Sequence, residues 1–282
     1  VTFADICYAS NPSYTYVPDD NFEQALIDLD YDDVLDDYVL TANISGVTSL
    51  DVKEKEISDL TGIEGFTALT NLHCEVNELT SLDVSSNTAL TDLSCGHNEL
   101  TSLDVSSNTA LTYLDCNNNP LTSLDVSNHT ALIHLQCYNN QLTSLDVSTN
   151  TALSELHCQN NQLTSIDLSN NTALSFLDCY GNSLTSLDVS SNTALTHLHC
   201  GANQFNSLDV SANTALTNLL CNNNQLTSLD VSANTALIGL NCDSNQLTYL
   251  NMKNGVTTQL TEFDAHNNSS LTCIETLDPA YA

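Results

Sequence analysis

Apolar residues recur along this chain with a period of 21 residues, from the unit that begins at Leu69 to the one that begins at Leu237. The first of these units reads LTNLHCEVNELTSLDVSSNTA, and looser units begin at Val47 and Leu260. Apolar and polar positions alternate in two stretches of each unit, at 69–74 and 79–84 in the first, which is typical of short strands with one inward face. The pattern therefore predicts eleven coils with two short strands each.

A unit of this size cannot bury its apolar face alone, so the coils are expected to stack into a solenoid with a continuous core. Stacking pairs like residues of successive coils in parallel ladders, so each position of the repeat becomes a column. Cysteine fills one inward column: Cys74, Cys95, Cys116, Cys137, Cys158, Cys179, Cys200, Cys221 and Cys242. Parallel neighbours have poor disulfide geometry and no CxxC spacing favours zinc, so we interpret these thiols as small buried hydrophobic groups. Cys7 and Cys273 lie at opposite ends, too far apart to pair with each other.

The pattern LxxLxCxxNxL resembles the leucine-rich-repeat family over residues 47–271. The segment 57–69 is similar to a coil of internalin-type bacterial surface proteins, and the half LDVSxNTA is similar to repeats of secreted bacterial surface proteins. The resemblance implies an α/β, mostly β, leucine-rich-repeat solenoid with two short parallel sheets and an N-terminal capping helix. It also implies a ladder of inward asparagines: Asn77, Asn98, Asn119, Asn140, Asn161, Asn182, Asn203, Asn224, Asn245 and Asn268. A second column is expected at the opposite corner, with His129 as its exception: Asn87, Asn108, Asn150, Asn171, Asn192, Asn213 and Asn234.

Both ends of the chain depart from the repeat and are expected to cover it. Near the N-terminus, Pro18 and several acids precede four apolar residues at helical spacing, which predicts a capping helix: Phe22, Ala25, Leu26 and Leu29. We divide the chain into a leader and N-terminal cap at 1–46, the solenoid at 47–271, and the start of a C-terminal cap or linker at 272–282. No signal peptide is visible, so we expect the chain to be a fragment of a longer secreted protein. In that longer protein, Cys273 is expected to pair with a residue beyond position 282.

Acidic side chains outnumber basic ones by 35 to 3, which gives a formal net charge of −32 at pH 7. Because phosphate binding needs clustered Lys and Arg, we exclude nucleic acid and anionic membrane surfaces as partners. No apolar run is long enough to insert across a bilayer. Eight acids form one column along the second stretch: Asp83, Asp104, Asp125, Asp146, Asp167, Asp188, Asp209 and Asp230. We expect hydrogen bonds from flanking serines, such as Ser81 and Ser85, to offset their repulsion, with bound Ca²⁺ or salt as the alternative.

The outward positions of the first strand differ from coil to coil, whereas the second stretch is nearly constant. Residues that are not needed for packing between coils are free to vary and can bind a ligand. In leucine-rich repeats, the first strand lines the concave face. The predicted ligand-binding residues are the aromatic, polar and charged ones of five successive coils: Tyr113, Asp115, His134, Gln136, Tyr138, Glu155, His157, Phe176, Asp178, Tyr180, His197 and His199. Aromatic side chains give contact area with little entropy to lose, and amides and carboxylates can bind hydroxyls.

Within this set, His157, Asp178, His197 and His199 lie on neighbouring strands and are a candidate Zn²⁺ or Cu²⁺ site. The same residues could be a His/Asp acid–base pair. However, a flat sheet has no pocket to exclude water, and no Ser or Cys nucleophile stands beside them, so we predict no catalytic residues and no enzyme.

The function that these observations favour is non-catalytic binding or adhesion at the bacterial cell surface or outside the cell, with a protein or matrix component as partner. One alternative is a polysaccharide-binding module of a larger secreted protein. Another is a structural stalk or ice-surface binder, although ice binders present flat Thr rows and the regular columns here are Ser and Asp.

Overall fold

The computed structural model describes residues 13–256 and 258–277. Most of the predicted leader, including Cys7, therefore lies outside the described residues, as do the last five residues. The elements in chain order are β1 (Tyr14–Tyr16), α1 (Asp20–Asp28), β2 (Tyr38–Leu40), α2 (Thr41–Ile44), β3 (Ser49–Asp51), a 3-10 helix (Ile63–Gly65), β4 (Asn71–His73), β5 (Asp92–Ser94), β6 (Tyr113–Asp115), β7 (His134–Gln136), β8 (Glu155–His157), β9 (Phe176–Asp178), β10 (His197–His199), β11 (Asn218–Leu220), β12 (Ser228–Asp230), β13 (Gly239–Asn241), β14 (Tyr249–Met252), β15 (Glu262–Asp264) and β16 (Cys273–Thr276).

The first strands of the coils form one sheet of eleven strands, in the order β15-β13-β11-β10-β9-β8-β7-β6-β5-β4-β3. All neighbours are parallel, and the register repeats without a slip, so that Leu135 lies between Leu114 and Leu156. The central leucine of each strand from β4 to β11 is at most 1% exposed. The predicted fold is confirmed: eleven coils stack as a leucine-rich-repeat solenoid, mostly β.

The second stretch forms a sheet only in the last coils, where β12, β14 and β16 pair in parallel. In the other described coils, the second stretch shows one isolated parallel bridge, between Asp83 and Asp104. The expectation of two strands in every coil was therefore too generous. The carboxylate of Asp83 accepts the N–H of Ser85 at 2.9 Å, and the same turn recurs in each coil, so the extended stretch ends after two or three residues.

The first asparagine ladder satisfies backbone groups on two coils at once. The amide nitrogen of Asn140 donates to the carbonyls of Cys116 at 3.1 Å, Cys137 at 3.0 Å and Tyr138 at 3.2 Å. Its oxygen accepts the N–H of Leu121 at 3.0 Å. A buried peptide group without a hydrogen-bond partner lowers the stability of the fold. The ladder asparagine of each coil supplies such partners and thereby joins the corner of that coil to the coil before it.

The second asparagine column lies where it was expected and is fully buried. Asn171 is typical: its amide nitrogen donates to the carbonyls of Val147 at 3.0 Å and Asn150 at 2.9 Å. His129 takes the same place in its coil and donates from Nε2 to the carbonyl of Val105 at 3.0 Å. The imidazole therefore substitutes for the amide by donating to the preceding coil, although it makes one such hydrogen bond where Asn171 makes two.

The N-terminal cap is built from α1, α2 and the antiparallel pair β1–β2. Asp19 caps α1 by accepting the N–H groups of Asn21 and Phe22, and the buried face of the helix carries Phe22, Ala25 and Leu26 as predicted. Leu29 was expected on that face, but it follows the last helical residue and is 40% exposed. Within the described residues, α1 and α2 are the α-helices, and neither has the length and apolar character of a membrane-crossing helix.

At the other end, β16 pairs with β14 in parallel, with Cys273 opposite Tyr249. The solenoid pairing therefore continues past the predicted boundary at residue 271 as far as Thr276. Cys273 is exposed and is a free thiol among the described cysteines.

Candidate functional site

The outward side chains of β6–β10 and of the residues that follow them form three rows across the long sheet. The first row contains Tyr113, His134, Glu155, Phe176 and His197, which are successive partners in the parallel register. The second row contains Asp115, Gln136, His157, Asp178 and His199. Tyr138 and Tyr180 occupy the third row, two residues further along their coils. The structure thus brings all twelve predicted residues to one face, which we call the aromatic face.

The sequence determines this face through strand alternation. On each strand of the set, the middle leucine points into the core and its two neighbours point outward. His197 is exposed and the other eleven side chains are half-buried, because residues one coil away cover their flanks.

Three rings are stacked at the centre of the aromatic face. The ring centroids of His157 and Phe176 lie 4.6 Å apart, and those of Phe176 and His197 lie 5.6 Å apart, with interplanar angles of 29° and 24°. Both faces of the phenyl ring are therefore covered by imidazoles. The edge of Phe176 therefore remains for contact with a partner, and ring edges carry the positive end of an aromatic quadrupole.

Polar contacts link the other members of the face. His199 Nδ1 lies 3.2 Å from an Asp178 oxygen, and the His199 ring lies 4.8 Å from that of Tyr180. His134 Nδ1 lies 3.2 Å from an oxygen of Glu155. These contacts join neighbouring coils, so the side chains are held in place before any partner arrives.

Contacts around Tyr113 hold the first coil of the face. The amide of Gln136 donates to the Tyr113 hydroxyl at 3.1 Å. Burial raises the pKa of Tyr113 to about 12, and the carboxylates of Asp115 and Asp92 add to the effect. Burial also raises the pKa of Asp115, against hydrogen bonds from the N–H and amide of Asn117. Asn117, which is 4% exposed, is a member of this site that sequence reasoning did not single out.

His157 differs electrostatically from a surface histidine. Burial lowers its pKa, opposed by the carboxylates of Asp178 and Glu155. Its ring is therefore neutral at pH 7 and packs on Phe176 as an aromatic group.

The candidate metal set is only partly brought together. Asp178 and His199 are paired, whereas the ring of His157 packs on Phe176 and that of His197 on its other face. Among the described residues, three potential metal ligands have oxygens within 4.8 Å of one another: Asp20, Glu23 and Asp37, in the N-terminal cap. None of the four candidate residues on the aromatic face belongs to that group. Metal binding by the histidines stays a prediction.

The aspartate column lies outside the long sheet. The pKa of Asp146 is lowered by hydrogen bonds from the hydroxyl and the N–H of Ser148, and serine two residues on has this role throughout the column. Of the two flanking serines that we expected to donate, these contacts come from the later one. Calcium binding along this column stays a prediction.

The fold and the columns by themselves define a class of protein: a leucine-rich-repeat solenoid with asparagine and cysteine ladders. The family model for leucine-rich repeats, in two copies, matches residues 88–129. Internalin J of Listeria monocytogenes serotype 4b (strain F2365) is 41% identical over 72 residues, which are 26% of this chain and 8% of that protein. This match thus spans less than a tenth of the curated relative.

Solved structures extend the similarity to almost the whole chain. The functional domain of InlJ from Listeria monocytogenes, which includes a cysteine ladder, is 31% identical; the match covers 95% of this chain and 77% of that chain, with a TM-score of 0.55. The chain therefore belongs to the leucine-rich-repeat family and is a bacterial internalin-like member of it. Another internalin, InlF from strain 4b F2365, is 22% identical with a TM-score of 0.62, over 93% of this chain and 95% of that one, and supports the fold alone. Internalin-like leucine-rich-repeat domains are, as a class, protein-binding domains.

Proposed function

We propose that this chain is a non-catalytic recognition domain of the bacterial cell surface or secretome, which binds a protein partner through the aromatic face. The observation that carries the proposal is the stack of His157, Phe176 and His197 on an outward sheet. Large rings on a surface are normally scattered, and a cluster marks a contact surface. Aromatic anchors of this kind supply most of the free energy in many protein interfaces.

The charge of the face indicates the chemistry of the partner. Asp115, Glu155 and Asp178 are the carboxylic acids of the face, and no Lys or Arg lies within it, since the three lysines of the chain are elsewhere. A partner that presents Lys or Arg would gain both ion pairs and cation–π contacts with the tyrosines. The net charge of −32 would also speed the approach of a basic surface at low salt.

Ring geometry favours a protein over a polysaccharide. Sugar rings need an open aromatic face to stack on, and both faces of Phe176 are covered by histidines. The exposed ring edges and half-buried carboxylates suit side chains of a protein, which can insert between them. A polysaccharide ligand is the alternative, and a structural stalk would bind nothing at this face.

The experiment is a screen of the intact chain on arrays of extracellular proteins and of glycans. Three forms are compared: the wild type, the double variant Phe176→Ala/Tyr180→Ala, and the control Asp146→Asn, which lies outside the face and keeps its turn. We expect protein hits that the double variant loses by about tenfold or more and the control retains. Hits confined to glycans, or hits that the double variant keeps, would overturn the proposal.

A further inference from the structure

Three carboxylates meet in the N-terminal cap, away from the aromatic face. One oxygen each of Asp20, Glu23 and Asp37 lies within 4.8 Å of the other two. Asp20 and Glu23 are three residues apart on α1 and therefore share one side of the helix. Asp37 comes from the turn that precedes β2. The cluster thus joins the capping helix to the strand pair that covers the first coil.

Glu23 is the member that points to a bound ligand. It is 1% exposed, and its Oε1 accepts the N–H groups of Asp36 at 3.0 Å and Tyr38 at 3.1 Å. Its other oxygen, Oε2, is buried and has no hydrogen-bond donor. A buried carboxylate oxygen without a partner is strongly unfavourable, and such a group is normally paired with a cation or coordinates a metal.

Helix capping does not account for these acids. Acidic residues in the first turn often serve to cap free N–H groups, but Asp19 already accepts those of Asn21 and Phe22. The side chain of Asp20 and the Oε2 atom of Glu23 are therefore available for another role.

The chain supplies no cationic side chain to neutralise the cluster. Its three lysines are engaged elsewhere, with Lys53 on Asp51, Lys55 on Asp28 and Lys253 on Glu275. A fourth carboxylate increases the negative charge, because Asp32 is close enough to Glu23 for the two to repel each other. One oxygen of Asp32 is likewise buried without a donor.

We propose that Asp20, Glu23 and Asp37 bind a Ca²⁺ ion that fastens α1 to the turn before β2. All donors are carboxylate oxygens, which favours a hard cation over Zn²⁺ or Cu²⁺. Two ligands of one ion can be no farther apart than twice the ion–oxygen distance. At roughly 2.3–2.6 Å per bond, Ca²⁺ accommodates oxygens that lie within 4.8 Å of one another. Ca²⁺ also accepts irregular sets of carboxylate ligands, whereas Mg²⁺ demands near-ideal octahedral geometry and loses its water reluctantly.

The ion would stabilise more than the helix that carries it. The ring of Phe22 on α1 packs 6.4 Å from that of Phe66, and Asp19 accepts hydrogen bonds from the N–H and hydroxyl of Ser58. Through these contacts the cap covers the apolar edge of the first coil. Ca²⁺ is therefore expected to delay unfolding from the N-terminal end.

The test is calorimetric titration of chelator-treated protein with CaCl₂, together with thermal unfolding with and without the ion. Asp37→Asn and Glu23→Gln each remove one charged ligand, and Asp37 is exposed, so its replacement leaves the core intact. The control Asp146→Asn removes a carboxylate from the aspartate column instead. MgCl₂ serves as the second ion.

We expect the wild type and Asp146→Asn to bind Ca²⁺ at the same site and to gain about 2–4 °C in melting temperature. Asp37→Asn and Glu23→Gln should weaken binding by tenfold or more, and Mg²⁺ should bind less tightly than Ca²⁺. The proposal is overturned if no Ca²⁺ binds up to about 10 mM, which exceeds the range of extracellular sites. It is also overturned if both cap variants bind as the wild type does, or if Asp146→Asn alone loses binding.

Discussion

At the scale of single residues, one position of each coil has a backbone conformation that the sequence does not announce. The residue before each ladder asparagine has a positive φ: Val76, His97, Asn118, Asn139, Asn160, Gly181, Ala202, Asn223, Ser244 and Asn267. The N–H of Val76 donates to the carbonyl of Gly96 in the next coil, and the same bond recurs down the column. Since stacking imposes the conformation, glycine and asparagine are favoured there but not required, and the pattern of residues hides the turn.

Val76 is the most strained member of this column. A β-branched residue at a φ of 58° is disfavoured by roughly 1–2 kcal/mol relative to a residue that tolerates the left-handed region. We therefore expect Val76→Asn to raise the free energy of unfolding by about 1 kcal/mol, measured by urea denaturation. The reciprocal change Asn223→Val should lower it by a similar amount. Equal stability of Val76→Asn and the wild type would show that the coil relaxes this strain.

At the scale of elements, the inward residues of the first strand are nearly the same in every coil, whereas its outward residues vary. The inward cysteine of every coil from Cys74 to Cys242 is completely buried and free. Burial raises the pKa of the Cys158, Cys200 and Cys242 thiols to about 12. The thiolate that would react or bind metal is therefore scarce, which agrees with the interpretation of the column as packing groups.

This interpretation predicts selective labelling. A maleimide reagent added to the native protein at pH 7.5 should modify the exposed Cys273 and leave the nine buried thiols unmodified until denaturant is added. Mass spectrometry of chymotryptic peptides measures the result. Modification of Cys158 at the same rate as Cys273 would contradict it.

The same column predicts an order of stability among variants. Cys158→Ser places an additional hydroxyl in an apolar layer and should cost about 1–3 kcal/mol of the free energy of unfolding. Cys158→Ala leaves only a small cavity and should cost less. Denaturant titration decides between them, and a serine variant that is as stable as the alanine variant would indicate a hydrogen-bonding role for the thiol.

At the scale of the whole molecule, the buried thiols set an alkaline limit. Burial raises their pKa above the ordinary range of a cysteine thiol in all nine coils. Between pH 9 and 12 the unfolded chain therefore binds fewer protons than the folded one, so stability falls as the pH rises.

Each thiol contributes about 1.4 kcal/mol per pH unit in that window, which for nine thiols exceeds the stability of most domains. We expect cooperative unfolding with a midpoint of about pH 10, followed by circular dichroism. A chain that is still folded at about pH 11.5 would show that the thiols remain protonated at little cost.

The acidic surface sets a dependence on salt. The column places eight carboxylates side by side on a chain of net charge −32, and we expect the serine hydrogen bonds to offset only part of their repulsion. The melting temperature should rise between about 10 mM and 0.5 M NaCl because screening shortens the range of the repulsion. No change with salt would mean that the hydrogen bonds alone balance the column.

The sequence was informative wherever the repeat acts alone. The columns of Leu135, Cys137 and Asn140 follow from period and alternation, since like residues must pair once coils stack. The second strand was over-predicted because alternation at 79–84 shows which side chains point inward but not whether the backbones of neighbouring coils pair there. The Asp–Ser turn does not decide the pairing, since Asp230 in β12 makes the same hydrogen bond as Asp83. The order of rings on the aromatic face depends on side-chain rotamers, and the buried Glu23 depends on how the cap folds back. Neither is encoded in a local pattern.

Hydroxyl-radical footprinting of the chain, with and without its protein partner from the array, tests directly whether the aromatic face is the binding surface. If the outward rings of β6–β10 bind that partner, oxidation of Tyr138, Phe176 and His197 should fall several-fold. Oxidation of Tyr14 and Tyr16, exposed on the cap, should stay the same. Protection of the cap tyrosines with unchanged oxidation of Phe176 and His197 would contradict binding through the aromatic face.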